Sequence, residues 1–284
     1  MTTATIAAVR VPALSLRHEA RAAFVVWQRE LIRFTKDRAR MVSTLVQPLL
    51  FLFVLGVGLS SIVRVSGSID FKTFLFPGVL ATSVLFTAAF SGISMVWDRE
   101  FGFLREMLVA PVSTTAILTG KCLGGATVAT LQSMILLAVA GLVGVPYAPM
   151  MMLALIGLMF LTAFLITAFS LMLAARIKQV QTAMPMVQLI IVPMMFLSGA
   201  LFPLSGLPAW LAVLTHLNPA TYAVEPLRSV VFDYLHVNLA TRATFDPGIV
   251  WGHWQVPVGL QVVIVVLVSL VFLATAVARF TRTE

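Results

Sequence analysis

The chain has 284 residues, 60% of them hydrophobic and 11% charged, with a mean hydropathy of +1.02 and a formal net charge of +8. That composition excludes a water-soluble domain, because too few polar side chains remain to face solvent; the medium is lipid. The length suits one transmembrane bundle without an added ATPase or catalytic domain, so residues 1–284 are expected to form a single transmembrane domain, with 1–40 as an N-terminal cytoplasmic segment and 41–280 as the bundle.

Residues 1–40 carry eight of the 19 basic residues. Arg10 and Pro12 interrupt their only apolar stretch, so the segment is read neither as a signal peptide nor as a span. Ser15 is an N-cap candidate with Glu19 behind it. Phe24, Trp27, Leu31 and Phe34 then recur at helical spacing beside Arg21, Arg29, Arg33 and Lys36, which predicts an amphipathic helix lying in the membrane interface. Its bases suit anionic membrane lipid. A helix that leads straight into a span can also pass on a push from a cytoplasmic partner.

A charge at the bilayer centre costs about 2.5–3.5 kcal/mol on insertion scales, so charge-free gaps mark the spans. Met41 to Val63 and Thr73 to Trp97 are the first two. Cys122 to Ala175 is uncharged over 54 residues, too long for one crossing. Its Gly144-Val145-Pro146-Tyr147-Ala148-Pro149 turn signal makes it a hairpin of spans three and four. Met184 to Phe202 is the fifth span, before the breaks at Pro203, Gly206, Pro208 and Asn218-Pro219. Val256 to Ala278 is the sixth. Fifteen basic residues then fall on the side of the termini, against Arg64, Lys72, Arg228 and Arg242 on the other. The positive-inside rule places both termini in the cytoplasm of a multi-pass protein of the cell inner (plasma) membrane. All five tryptophans fall near predicted lipid–water boundaries.

Between spans two and three, Trp97 to Val112 carries five charges. Phe101, Leu104 and Leu108 lie at i, i+3, i+7 with Met107 beside them, and Pro111 ends the stretch, which describes a short amphipathic helix. Such a helix packs on the membrane surface, plugs another part of the chain or docks into a soluble partner. Site chemistry is otherwise sparse. There is one cysteine, and the four histidines lack metal-ligand spacing. Gly120-Lys121 is not a phosphate loop, because Cys122 follows the lysine and Thr115 stands where the first glycine belongs. The spans are read as free of mid-membrane ionisable groups, which weakens an ion-coupled carrier. Gln132 and Gln188 read as interhelical hydrogen-bond partners. Glu225 and Arg228, three residues apart, form either a pair inside a buried segment or a solvated one.

Asp98-Arg99-Glu100-Phe101-Gly102-Phe103-Leu104-Arg105-Glu106-Met107-Leu108, followed by Pro111-Val112-Ser113 and Gly120-Lys121, resembles the cytoplasmic-loop motif of permease subunits of type-two ABC exporters, closest to the daunorubicin-resistance and Nod-factor branches. Arg29-Glu30-Leu31, Gln47-Pro48-Leu49-Leu50, Phe76-Pro77-Gly78 and Asn218-Pro219 with Tyr222-Ala223-Val224-Glu225 extend the likeness over essentially the whole chain. It implies an all-α membrane protein of six transmembrane helices, with an N-terminal interfacial amphipathic helix, a cytoplasmic coupling helix between spans two and three, and short re-entrant helices before span six, at Ala209 to Leu217 and Tyr222 to Leu235. It implies a transport subunit rather than an enzyme. No cofactor is expected on this chain; ATP and Mg belong to two separate cytoplasmic ATPase subunits, and a second permease, identical or homologous, completes the transporter. Coupling to the ATPase is carried over to Glu100, Phe101, Gly102, Phe103, Leu104, Glu106, Met107 and Leu108, with Gly102 read as allowing close approach of a partner backbone.

The spans offer phenylalanine and methionine where a sugar pathway would offer tryptophan or tyrosine. Phe86 and Phe90 share a face of span two, and Met184, Met194, Met195 and Phe196 surround Pro185 and Pro193 in span five. The resemblance puts these two spans at a central seam, so the six residues are read as a pathway for a hydrophobic or amphipathic cargo, a drug or lipid-linked compound. Export of a polysaccharide or lipo-oligosaccharide, and ion-coupled secondary transport, stand as the alternatives. With Cys122 replaced by Ala, cysteines placed at Ser68 and Thr241 are expected to react with a membrane-impermeant thiol reagent in intact cells, and one at Ser113 to be protected. The reverse pattern would invert the orientation.

Overall fold

The computed structural model describes residues 15–60, 71–104, 107, 112–202, 204, 207–235, 248–251 and 254–283, and these form an almost wholly helical bundle. Helix α1 (Leu16–Lys36) starts where local chemistry asks it to. The Ser15 hydroxyl accepts the His18 N–H at 3.3 Å, Glu19 sits in the first turn, and Arg33 and Lys36 complement the dipole in the last. After Asp37 the chain enters α2 (Arg38–Leu50), which continues through a wider π turn, Phe51–Leu55, and a final helical turn, Gly56–Ser60. Pro48, with no N–H to donate, stands just before that wider turn.

Helix α3 (Phe71–Glu100) is the axle of the bundle and is buried along most of its length. Around it pack α4 (Thr114–Leu137), α5 (Pro149–Ala174) and α6 (Val180–Leu197), with the last helix, α9 (Val258–Thr283), against α5. Small residues bring the backbones together. A Cβ built on Gly92 would lie 2.2 Å from the Ser170 Cβ, and one on Gly78 only 1.6 Å from the Ala200 carbonyl oxygen. The Ser170 hydroxyl donates to the Ala89 carbonyl at 2.9 Å across the α3–α5 contact.

Among the described residues, five helical stretches are long and apolar enough to cross a membrane: Met41–Gly58, Phe71–Glu100, Pro149–Ala174, Val180–Leu197 and Val258–Thr281. They coincide with the first, second, fourth, fifth and sixth predicted spans. Helix α4, where span three is predicted, has 24 residues, about 36 Å at 1.5 Å per residue. Lys121 and Gln132 make it less apolar than the others, and both are buried. The predicted hairpin turn between α4 and α5 closes on Gly144, at φ +82°, and on Tyr147, whose hydroxyl donates to the Ala138 carbonyl at 2.6 Å and accepts the Gly141 N–H at 3.0 Å.

Two shorter helices, α7 (Ala209–Leu217) and α8 (Pro219–Tyr234), precede α9 and meet at Asn218. The Asn218 carbonyl caps α8 by accepting the Ala220 N–H at 3.1 Å, and its amide donates to the Met194 carbonyl at 2.7 Å. The Thr221 hydroxyl donates to the Thr215 carbonyl at 2.8 Å with the Leu197 carbonyl 3.2 Å away, and the Arg228 guanidinium reaches the Gly199 carbonyl. Side chains thus approach carbonyls left over at the end of α6. Glu225 and Arg228 are both buried, which removes the solvated-pair reading. One feature was not anticipated by the sequence pattern: a hairpin of two-residue strands, Val250–Trp251 with Trp254–Gln255, whose Trp251 indole donates to the Tyr222 hydroxyl at 3.0 Å.

Gly78→Ala is expected to lower the thermal stability of the purified protein, because the added Cβ lands on a backbone carbonyl and overpacking typically costs about 1–3 kcal/mol. Gly58→Ala, where a Cβ meets nothing within 4 Å, serves as the control in the same melting measurement.

Candidate functional site

Helix α1 lies on α4 because two glycines clear the way. A Cβ at Gly120 would fall 2.5 Å from the Ala23 carbonyl oxygen, and one at Gly124 would fall 2.7 Å from the Glu30 Cβ. Gly120 and Gly124 have the four-residue spacing of close helix–helix contacts, so the Gly120-Lys121 pair serves packing. The Trp27 indole adds a hydrogen bond to the Thr127 hydroxyl at 3.1 Å.

The close approach seals a cluster of charges between α1, α3 and α4. The Lys121 ammonium, 1% exposed, lies 2.5 Å from Asp98 and 2.9 Å from Glu30, and its third donor reaches the Ser94 hydroxyl at 3.2 Å. Arg29 closes the other side, at 2.6 Å from Asp98 and 3.2 Å from Glu30, with Arg33 at 3.8 Å on the rim. Burial pushes the Glu30 carboxyl toward a higher pKa; the Lys121 ammonium, its hydrogen bond and Arg29 outweigh this and hold it below the ordinary carboxylate value. The charge pattern places Asp98 and Lys121 outside the hydrocarbon but not in contact with each other; the structure buries both in the protein interior, and the signal in the sequence is the glycine pair, Gly120 and Gly124, beside Lys121.

Arg99 and Glu100 continue the pattern. The Arg99 guanidinium donates to the carbonyls of Ala174 and Ala175 at 3.3 Å and of Ile177 at 2.9 Å, neutralising the C-terminal end of α5, and lies 4.9 Å from the Phe280 ring centroid in α9. The Glu100 carboxylate accepts the Val180 N–H at 2.7 Å, at the start of α6. Gly102 then ends α3 at φ +83°. Within the described chain a Cβ there would meet nothing within 4 Å, and the left-handed turn itself calls for glycine.

Beyond that turn the predicted stripe divides. Phe101 is 61% exposed and stacks on Trp97 at 5.4 Å, and Phe103 is 53% exposed, whereas Leu104 is 2% exposed and belongs to the chain's own core. Leu104 is therefore a packing residue, and the outward apolar pair is Phe101 with Phe103. Met107 accepts a hydrogen bond from Arg29 at 3.3 Å. Glu106 and Leu108 lie outside the described residues. Where α4 begins, the Ser113 hydroxyl caps the helix by accepting the Ala116 N–H at 3.1 Å, and it donates to Glu19 of α1.

A cavity of about 120 Å³ opens between α2, α3 and α6. Its walls are Thr44, Gln47, Pro48 and Phe51 from the first span, Thr82, Ser83, Phe86, Thr87 and Phe90 from the second, and Gln188, Met195 and Leu201 from the fifth and its end. Phe86, Phe90 and Met195, three of the residues singled out in the sequence, meet here. Met194 is buried beside it, held through its carbonyl by Asn218, while Met184 and Phe196 are exposed and do not line it. Gln132 bridges to the first span, with its amide donating to the Thr44 hydroxyl.

The family model described as ABC-2 type transporter matches residues 21–232, most of the chain. Among curated proteins, ycf38 of Cyanophora paradoxa, named as a transport permease, is 28% identical over 87% of this chain and 85% of its own length. Nodulation protein J of Sinorhizobium fredii is 29% identical, covering 73% of this chain and 80% of its own. YbhR of Escherichia coli, named as a multidrug ABC transporter permease, is 27% identical over 57% of this chain and 45% of its own.

Lys121→Met is expected to free α1, because removing one partner from a buried ion cluster typically costs about 3–5 kcal/mol. Limited proteolysis at the α1–α2 junction reads the release, and adding Glu30→Gln should recover part of the loss. A carboxyl with a depressed folded pKa stabilises the fold above the ordinary carboxylate range and loses that contribution as pH falls through its folded value. Acidification below that range should therefore expose the same junction in the native protein and have less effect once Glu30 is Gln.

Proposed function

The chain belongs to the ABC-2 type transporter family, and we propose that it is the permease subunit of an ATP-driven exporter that moves a hydrophobic or amphipathic compound, a drug or lipid-linked molecule, out of the cytoplasm or the inner leaflet. Energy comes from separate cytoplasmic ATPase subunits, two per transporter, which carry the ATP and Mg. A second permease, a copy or a homologue, completes the pathway. In this reading residues 1–284 are one transmembrane domain of six spans in the cell inner membrane, with both termini and the α1 side of the bundle in the cytoplasm.

The observation that carries the cargo class is the cavity itself. Aromatic and thioether surface from Phe86, Phe90 and Met195 lies next to hydroxyls and amides, a lining that suits a molecule with an apolar body and a polar part. The name of the Escherichia coli relative, a multidrug permease, points the same way. The outward Phe101 and Phe103 at the end of a helix anchored to its neighbours fit a groove in a helical partner, and they are placed where the ATPase docks in this reading. Glu100, Gly102 and Leu104 set the position of that pair, and Met107 links it to α1.

Aromatic anchors at interface centres typically cost about 2 kcal/mol or more on truncation. A Phe101→Ala, Phe103→Ala protein is expected to insert normally, lose its ATPase on purification and cease transport. Retention of both activities would remove the docking assignment. For the cargo, single Phe86→Ala, Phe90→Ala and Met195→Ala variants should shift resistance profiles and ligand-stimulated ATPase in the assembled complex. Unchanged selectivity in all three, with stimulation by a hydrophilic polysaccharide, would overturn it.

A further inference from the structure

The polar groups of the cavity are unequal in what they have left to offer. Thr82 donates to the Val79 carbonyl at 2.8 Å, Ser83 is paired with Ser133 at 3.3 Å, and Thr44 is engaged by Gln132 and by the Met41 carbonyl. Gln47 of α2 and Gln188 of α6 differ: among the described residues neither side-chain amide has a hydrogen-bond partner. Each brings two N–H donors and a carbonyl acceptor to the same cavity from a different span. Both side chains are exposed on the single chain, so their amides are open to whatever enters the cavity, and at membrane depth a hydrogen-bonding occupant offsets the cost of leaving them unpaired.

The depth and the charge of the site narrow what that is. Gln47 lies about two helical turns, roughly 10 Å, from the start of the first span, and Gln188 about as far from the start of α6. The α3 wall, Thr82 to Phe90, spans the middle of that helix, and Met195 and Leu201 lie toward the far end of the fifth span, so the cavity extends through the middle of the bundle. No acidic or basic side chain lines it. An ionic head group would be stripped of water there without a counter-charge, whereas hydroxyl, amide and carbonyl groups match the two glutamines in both directions.

We propose that Gln47 and Gln188 form a head-group site that selects an amphipathic cargo by an uncharged, hydrogen-bonding polar part, with Phe86, Phe90 and Met195 against its apolar part. This rests on the permease reading above and adds the class of cargo and the two residues that sort it. Thr82 and Ser83 of α3 shape the site; the glutamines, with the Thr87 hydroxyl beside them, read the ligand.

The probes are three fluorescent sphingolipids with the same chains and different heads: a neutral ceramide, its anionic 1-phosphate and the cationic N-alkyl sphingoid amine. Binding is measured to the full-length chain in nanodiscs, and transport to the chain assembled with its ATPase in proteoliposomes. The ceramide is expected to bind saturably and more tightly than either charged probe. Gln47→Leu and Gln188→Leu should each weaken it by about five- to tenfold, the effect of one or two neutral hydrogen bonds. Gln47→Glu should turn preference toward the amine, a gain that misfolding cannot produce. Equal binding of all three probes by native and variant proteins would overturn the site. So would leucine variants that change the permease's self-association and leave ceramide binding intact, because the amides would then serve a second copy. If the binding pattern holds but the assembled complex moves none of the probes, the exporter reading fails and the site stands. If ceramide is transported and the glutamine variants transport and bind it normally, the exporter reading stands and the site fails.

Discussion

A single ammonium group holds one end of this bundle together. Lys121 has three N–H donors and uses them on Asp98 of α3, Glu30 of α1 and Ser94 of α3. Two carboxylates face two cations with a third at the rim, and Lys121 and Arg29 converge on the same oxygen of each, Asp98 Oδ2 and Glu30 Oε1. That matching of charge decides its sign. A buried ion pair with an unmet partner costs more than an apolar contact of the same size, and a fully met one specifies a unique arrangement. Here the arrangement fixed is the angle at which an interfacial helix rests on two spans, because the glycine notch of α4 sets the distance and the charges set the register.

Three consecutive residues spread the same constraint to the remaining helices. Successive residues point about 100° apart around a helix, so Asp98, Arg99 and Glu100 leave α3 in different directions. Asp98 meets α1 and α4, Arg99 meets the end of α5 and a ring of α9, and Glu100 meets the first turn of α6. The end of α3 is therefore a hub, and Gly102 releases the chain from it immediately afterwards. A force on Phe101 or Phe103 acts within one turn of all three anchors. Met107 and Ser113 lead the same force into α1, through Arg29 and Glu19.

Much of this was legible before any coordinates. Charge-free gaps marked the spans, Gly144 and Pro149 marked the hairpin, and Asn218-Pro219 marked the break between α7 and α8, since each rests on local chemistry that tertiary packing does not override. The charge cluster was not legible for the same reason that the spans were. Counting charges assigns every ionised residue to water, and the rule has no means of knowing that Glu30, sixty-eight residues before Asp98, returns to pair beside it. Leu104 illustrates a second limit. Its i+3 relation to Phe101 is correct for a helix, but Gly102 turns left-handed between them, so periodicity carried across that position sends a core residue to the surface. In the cavity, Phe86, Phe90 and Met195 were found by type and spacing, while Gln47 was missed because a lone amide in an apolar run carries no periodic signal.

The hub and the cavity are joined by helices of unequal firmness. The cavity wall on α3 belongs to the most deeply buried helix of the bundle, whereas the α2 and α6 walls belong to helices that are exposed along most of their length in the single chain. Those two also carry the irregularities: Pro48 and the π turn in α2, Pro185 and Pro193 in α6. A helix with fewer packed neighbours and missing backbone donors bends at lower cost. Changes in the volume between the three walls therefore fall on α2 and α6 rather than α3. Each is tied to the hub at its near end, α6 through the Glu100–Val180 hydrogen bond and α2 through its direct continuation from α1, and α6 is held again at its far end where Asn218 grips the Met194 carbonyl. With both ends of α6 pinned, bending concentrates between them, at the stretch around Gln188.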